Sequence, residues 1–499
     1  MCCGSTACSL RDLEPAVKAA SKQHIPLNIR APERLYRALF ASRFGPLCLL
    51  LGPSLVVGSW SVMLFFWLGA GGDASFGQEA PGPGYDPVIH YGSTDGLADP
   101  VTLLRQRLAD RSVRLEYEPK RGFLTSLLKE LRVPVTSQAL VFSKTSSQRD
   151  QTSPHTPRAI YFSDDVAVGW VPGGQFIDIA SVDPSRGPIF YTLSQSADTS
   201  PRFARGTDCM QCHLGSKTLN VPGLLVRSFY TASDGTPLGK VDGFLSGHNS
   251  SLRDRWGGWY VTGTHAREFH LGNIFATNFD SPQQLDISAG ANLADLRERF
   301  DTRAYLSPAS DIVALLVLEH QVRMQNLITL AHYETRYALD EQAGPAVADK
   351  DNPVTDLTGL AQERVARAGE RLLEYMLFRD EAPVKGPIKG TTAFAEEFQL
   401  LGPRDSKGRS LRELELTHRL FRYPCSFLIY SPSFDTLPQE MKTYLWQRLE
   451  QILTGKDNGR TYSDMAIQDR QDVMEILRNT KQEFAQWVRT HEVVSGPRL

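Results

Sequence analysis

Cysteine is scarce in this chain: seven occur among 499 residues, four of them (Cys2, Cys3, Cys8 and Cys48) before residue 49, leaving only Cys209, Cys212 and Cys425 beyond it. So few excludes a disulfide framework. A charge excess of either sign is also missing, since 54 Lys and Arg stand against 56 Asp and Glu for a net charge of −2. Such a balance provides no basic surface for nucleic acid. There is no internal repeat, and no second Cys-x-x-Cys or compact His-x-x-x-His that would complete a zinc site. The glycine runs GWVPGG and RWGGW lack the strand, turn and helix context of a phosphate loop. No coherent Ser-His-Asp set is present, so catalytic residues are left unassigned.

What is present begins with an uncharged stretch over residues 44–72, longer than the ~20 residues that a helix needs to cross a bilayer. Seven basic residues precede it (Arg11, Lys18, Lys22, Arg30, Arg34, Arg37 and Arg43) against Asp12, Glu14 and Glu33, and the first charges after it are Asp73 and Glu79. The positive side faces the cytoplasm. The segment therefore reads as a transmembrane anchor, or as a signal cut near Ala70 and Gly72, with the bulk of the chain exported.

Residues 73–98, rich in Pro and Gly, read as a tether. From there an α+β chain is predicted. A helical start (PVTLLRQRLAD, then LTSLLKELRV) leads into short β segments (ALVFS, RAIYF, VAVGWV, QFIDIASV and GPIFYTL), which make residues 99–283 a β-rich region. Residues 284–499 show helical periodicity. Helices are expected at LADLRERF, after a Ser307 N-cap with Pro308 at the first position, and over 356–378, 411–421, 439–453 and 464–489.

The one motif with a demanding chemistry is CMQCH, Cys209 to His213. Two thiols three residues apart add across the two vinyl groups on one porphyrin edge, and the adjacent imidazole then lies under the iron. With 7 Cys and 11 His in 499 residues, chance would place such a pentapeptide about 0.002 times. Cys425, in an apolar run, reads as a small buried hydrophobe.

This pentapeptide resembles the haem-attachment motif of c-type cytochromes. The rest of the chain looks similar to large uncharacterised bacterial membrane-anchored or exported proteins with a single CxxCH and a phrase such as RLFRYPCSFLIY near the C-terminus. The resemblance implies one covalent haem c on Cys209 and Cys212, His213 as proximal iron ligand, and electron transfer in the periplasm from an inner-membrane anchor. It also implies a redox partner protein or the quinone pool as partner. The usual small helical module is not implied, because the motif sits between β-rich stretches.

The role of such a haem depends on the side opposite His213. His320 and Met324, four apart on one predicted helix, share a face and are candidate distal ligands, as are His270 and His265. With one of them bound, the chain is an electron carrier; with an open distal position, it is a haem oxidoreductase, a peroxidase or a haem-based sensor. Arg205, Arg227, Arg253 and Arg255 are candidates for haem propionates, and Trp170, Trp256 and Trp259 for packing on the porphyrin.

Overall fold

Alternating apolar residues over 158–194 form the centre of the structure, a seven-stranded antiparallel sheet. The computed structural model describes residues 86–197, 200–239, 243–276, 285–344, 357–457 and 459–494. The expected membrane segment 44–72 and the tail before it lie outside the described residues. Among the described residues no helix is long and apolar enough to cross a membrane.

The folded part begins at α1 (Asp86–Ile89), inside the expected tether, where Ile89, Tyr91 and Leu97 are buried. It continues through α2 (Pro100–Ala109), capped by the Asp99 carboxylate, and α3 (Leu124–Glu130). The sheet follows with β1 (Ala139–Val141), β2 (Arg158–Phe162), β3 (Val166–Trp170), β4 (Phe176–Asp183), β5 (Gly187–Ser194) and β6 (Phe203–Arg205). Strands β2 to β6 are a meander in chain order, each paired with the next. The edge is extended by β1 and then by β9 (Trp259–Tyr260). The single helical turn α4 (Met210–His213) follows β6 directly. Beyond it lie the short pairs β7 (Arg227–Ser228) with β8 (Phe244–Leu245), and β10 (Thr264–His265) with β11 (Ile388–Lys389).

The second half is mainly helical. Its spine is α5 (Ile312–Ala343), 32 residues and so ~48 Å long, buried along most of its length. Its start differs from the Ser307–Pro308 expectation. Residues 309–312 run extended beside Thr262, with Thr262 N donating to Ser310 O and Ile312 N to Thr262 O, so helical dihedrals begin only after Asp311. Asp311 caps the helix with one carboxylate oxygen and binds the backbone of Thr391 and Thr392 with the other. Helix α5 passes two hairpin turns of the sheet: Gln321 donates to Ser163 O in the β2–β3 turn, and Tyr333 donates to Arg186 O in the β4–β5 turn.

Around the spine pack α6 (Gly359–Met376), α7 (Phe394–Leu400), α8 (Pro432–Asp435), α9 (Gln439–Leu453), α10 (Ile467–Thr480) and α11 (Gln482–Val494). Two expected helices are absent. LADLRERF is a run of turns tied down by Leu296 N to Pro308 O, and residues 411–421 form a tight hairpin in which the Glu415 carboxylate accepts three successive backbone N–H groups. The expected helix 464–489 is two helices divided at Lys481, whose ammonium is drawn inward to Ile429 O and Asp435. One hydrophobic cluster runs from Ile89 to Val488, so the β-rich and helical regions share a core.

Candidate functional site

CMQCH sits where the chain leaves the sheet. Arg205, in β6, donates to the carbonyls of Tyr91, Gly92 and Ser93 and fixes that exit. Gly206 follows, where an added Cβ would come within 2.7 Å of Cys209 Sγ. One turn then presents the three residues together, with His213 N bonded to Cys209 O at 2.9 Å. Both cysteines are free, Cys209 half-buried and Cys212 exposed. Burial pushes the Cys209 thiol up to about 11, with Asp178 adding to the rise, so it is held protonated.

His213 is oriented by a clamp from the following loop. Gly223 N donates to His213 O at 2.9 Å, and Gly223 O lies 2.8 Å from His213 Nδ1. A carbonyl can only accept, so Nδ1 carries the proton and Nε2 keeps its lone pair, with no hydrogen bond to it among the described residues. The Phe190 ring from β5 packs on the imidazole at 4.8 Å between centroids. Burial lowers the His213 pKa, and the positive charges of Arg158 and Arg227 pull the same way, which keeps the ring neutral.

The clamp is itself held from α5. Asn326 Oδ1 accepts from Leu224 N at 2.9 Å and its Nδ2 donates to Leu224 O at 2.8 Å, a two-point grip on the backbone next to Gly223. A Cβ at position 223 would meet Asn326 Oδ1 at 2.6 Å, so glycine is required by close approach. Asn326, Gly223 and Phe190 were not singled out from sequence. An amide side chain set in a largely apolar helix is the signal that would have found Asn326.

The remaining candidates lie in other surroundings. His320 is fully buried with both ring nitrogens engaged: Nδ1 is 2.9 Å from His248 Nδ1, and Nε2 is 2.8 Å from Ser426 Oγ. Phe378 and Tyr375 stack on the ring. Met324 is buried in the core. His270 packs against Trp256 and His265, and its Nδ1 accepts from Gly272 N. His265 Nε2 accepts from Asn292 N.

Of the four arginines considered for propionates, Arg227 is the one whose charge bears on His213. Arg253 is exposed, and Arg255 is buried in an ion pair with Glu319 at 2.8 Å. Arg158, not anticipated, also acts on His213 through its charge, while its Nη2 is paired with Asp178 at 2.9 Å. Trp170 packs edge-on against Tyr305 in the core, and Trp259 Nε1 donates to Arg227 O. Cys425 is fully buried, as expected of a packing residue.

The residues at CMQCH fit a covalent haem as they stand. The thiols are free, the imidazole is neutral, and its Nδ1–H is committed to a carbonyl as in metal-bound histidines. Among the described residues no group of three or more His, Cys, Asp or Glu side chains is arranged to hold a metal ion. No family model, curated protein or solved structure matches the chain.

Proposed function

We propose that this chain is a c-type cytochrome that carries one haem c and transfers electrons outside the cytoplasmic membrane. The observation that supports it most is the His213 clamp: an imidazole with Nδ1 bonded to Gly223 O and Nε2 free, on the same turn as two free thiols. In this reading Cys209 and Cys212 form the thioethers and His213 is the proximal ligand; the haem, when bound, supplies a one-electron couple. Phe190 and the Gly223 carbonyl hold the ring in place, and Arg227 and Arg158 are cations whose charge acts on His213 and would be available to carboxylates of the cofactor. Cys212 is exposed, so a group attached through it would be open to electron exchange with a partner protein or a membrane quinone. Residues 44–72 supply the inner-membrane anchor, or the export signal, that places the chain in the periplasm.

The distal side separates the carrier from a haem oxidoreductase, peroxidase or sensor. The engagement of both His320 nitrogens in the core argues against ligation by His320 and leaves Met324, His270, His265 or an open position on the distal side. The optical spectrum of the purified protein tests this. A low-spin six-coordinate spectrum supports the carrier with another ligand, and a high-spin spectrum that shifts on adding cyanide supports the open site.

A further inference from the structure

A cavity of about 920 Å³ opens between α2, α3, α7 and the β2–β3 turn, away from CMQCH. Its volume is that of a site for a small organic ligand. Its apolar wall includes Leu103, Leu128, Leu131, Phe162, Phe398 and Leu401; exposed Arg107, Lys129, Arg132 and Glu397 line it as well, and Asp164, Asp165 and Arg412 form a separate polar group.

Arg412 is the informative residue. It is only 6% exposed, its guanidinium lies 4.7 Å from the Phe398 ring centroid and 4.3 Å from that of Phe427, and Nη2 is paired with Asp164. Its Nη1 is buried with no hydrogen-bond partner. A buried guanidinium donor left unmade is costly, and the cavity it lines is where an acceptor would sit. The Asp165 carboxyl also lines the cavity and has no hydrogen-bond partner among the described residues. Burial beside Asp164 pushes it up to about 7, so it can both donate and accept near neutral pH.

The lining charges balance, Arg107, Lys129, Arg132 and Arg412 against Glu130, Asp164, Asp165 and Glu397, so the cavity offers no net charge to select an anionic or a cationic head. A neutral head with oxygen acceptors satisfies Arg412 Nη1 and bonds to Asp165 in either protonation state. We propose that this cavity binds a neutral amphipathic molecule whose head carries carbonyl or hydroxyl oxygens, of the quinone or quinol type, seated on Arg412 and Asp165 with its apolar body against Leu103, Leu131 and Phe398. A second cavity of about 10 Å³, room for one water, is lined by Asp165, Gln325 and Leu224. Gln325 Oε1 is buried there without a partner. The ligand head and the loop that clamps His213 thus share a wall. Binding itself does not depend on the haem reading.

Calorimetric titration of the full-length protein with decyl-benzoquinone tests the proposal, with decanoate and decyltrimethylammonium as charged controls of the same chain length. Expected is saturable binding of one quinone per chain, not displaced by either control. Leu103→Trp should block it, being half-exposed at the cavity wall and therefore tolerant of a larger side chain. Arg412→Lys, which keeps the charge but loses the second donor, should weaken it about tenfold. Circular dichroism checks that both variants fold. Absence of saturable binding, displacement by decanoate or by the cationic control, or unchanged affinity in a folded Leu103→Trp variant would overturn the assignment.

Discussion

Replacing Asn326 by leucine removes the grip of α5 on the His213 loop while filling nearly the same volume. Two hydrogen bonds disappear, Leu224 N to Oδ1 at 2.9 Å and Nδ2 to Leu224 O at 2.8 Å. Asn326 is 1% exposed, so water does not readily replace them. Each of the two backbone groups left unpaired costs about 1–3 kcal/mol, which puts the loss at about 2–6 kcal/mol in total. Guanidinium unfolding followed by circular dichroism should show this as a lower midpoint at unchanged slope. A second readout separates positioning from bulk stability. Loosening Leu224 loosens Gly223, weakens its carbonyl's hold on His213 Nδ1–H, and makes the imidazole a poorer electron donor. The reduction potential of the haem-loaded variant should therefore rise. A stability loss below about 0.5 kcal/mol would refute the energetic argument. The full loss with an unchanged potential would refute the positioning role of Asn326.

Arg255→Met leaves Glu319 buried without its 2.8 Å partner and should cost about 3–5 kcal/mol in denaturant unfolding, with most of it recovered in the double variant with Glu319→Leu; a single-variant loss under 1 kcal/mol would contradict this. His332 is buried, donates from Nε2 to Ser433 O at 2.8 Å, and is lowered by burial to about 4. It stays neutral in the fold but gains a proton in the unfolded chain below about 6.5, so its contribution to stability is present above that pH and is lost as pH falls towards 4, by about 2 kcal/mol at pH 5. His332→Gln keeps a donor for Ser433 and should reduce the stability difference between pH 8 and pH 5 by that amount; an unchanged difference would contradict the assignment.

The sheet was legible in the sequence because strands β2 to β5 are consecutive and their alternation is local. The α+β class, with a β-rich middle and a helical second half, followed from the same patterning. Helix starts and short loops were less legible where distant residues decide them: the pairing of residues 309–312 with Thr262 delays α5 to Asp311, and the Glu415 carboxylate turns 411–421 into a hairpin despite its helical composition. At the site, the Cys-x-x-Cys-His chemistry is written in five adjacent residues. The clamp is not, because Gly223 meets His213, and Asn326 reaches the loop beside it, only through folding, 10 and 113 positions further along the chain. His320 and Met324 are both buried on α5. His320 meets His248, Tyr375 and Ser426, partners that spacing alone does not specify.

Count of covalent haem per chain is the most direct test of the central claim, measured by the pyridine haemochrome spectrum of full-length protein produced with a haem c maturation system and denatured before assay. One haem per chain that resists acid-acetone extraction, and that is lost when both Cys209 and Cys212 are replaced by serine, is the result predicted. A correctly folded chain with no covalent haem, or with haem that remains covalently bound in the double serine variant, would contradict it.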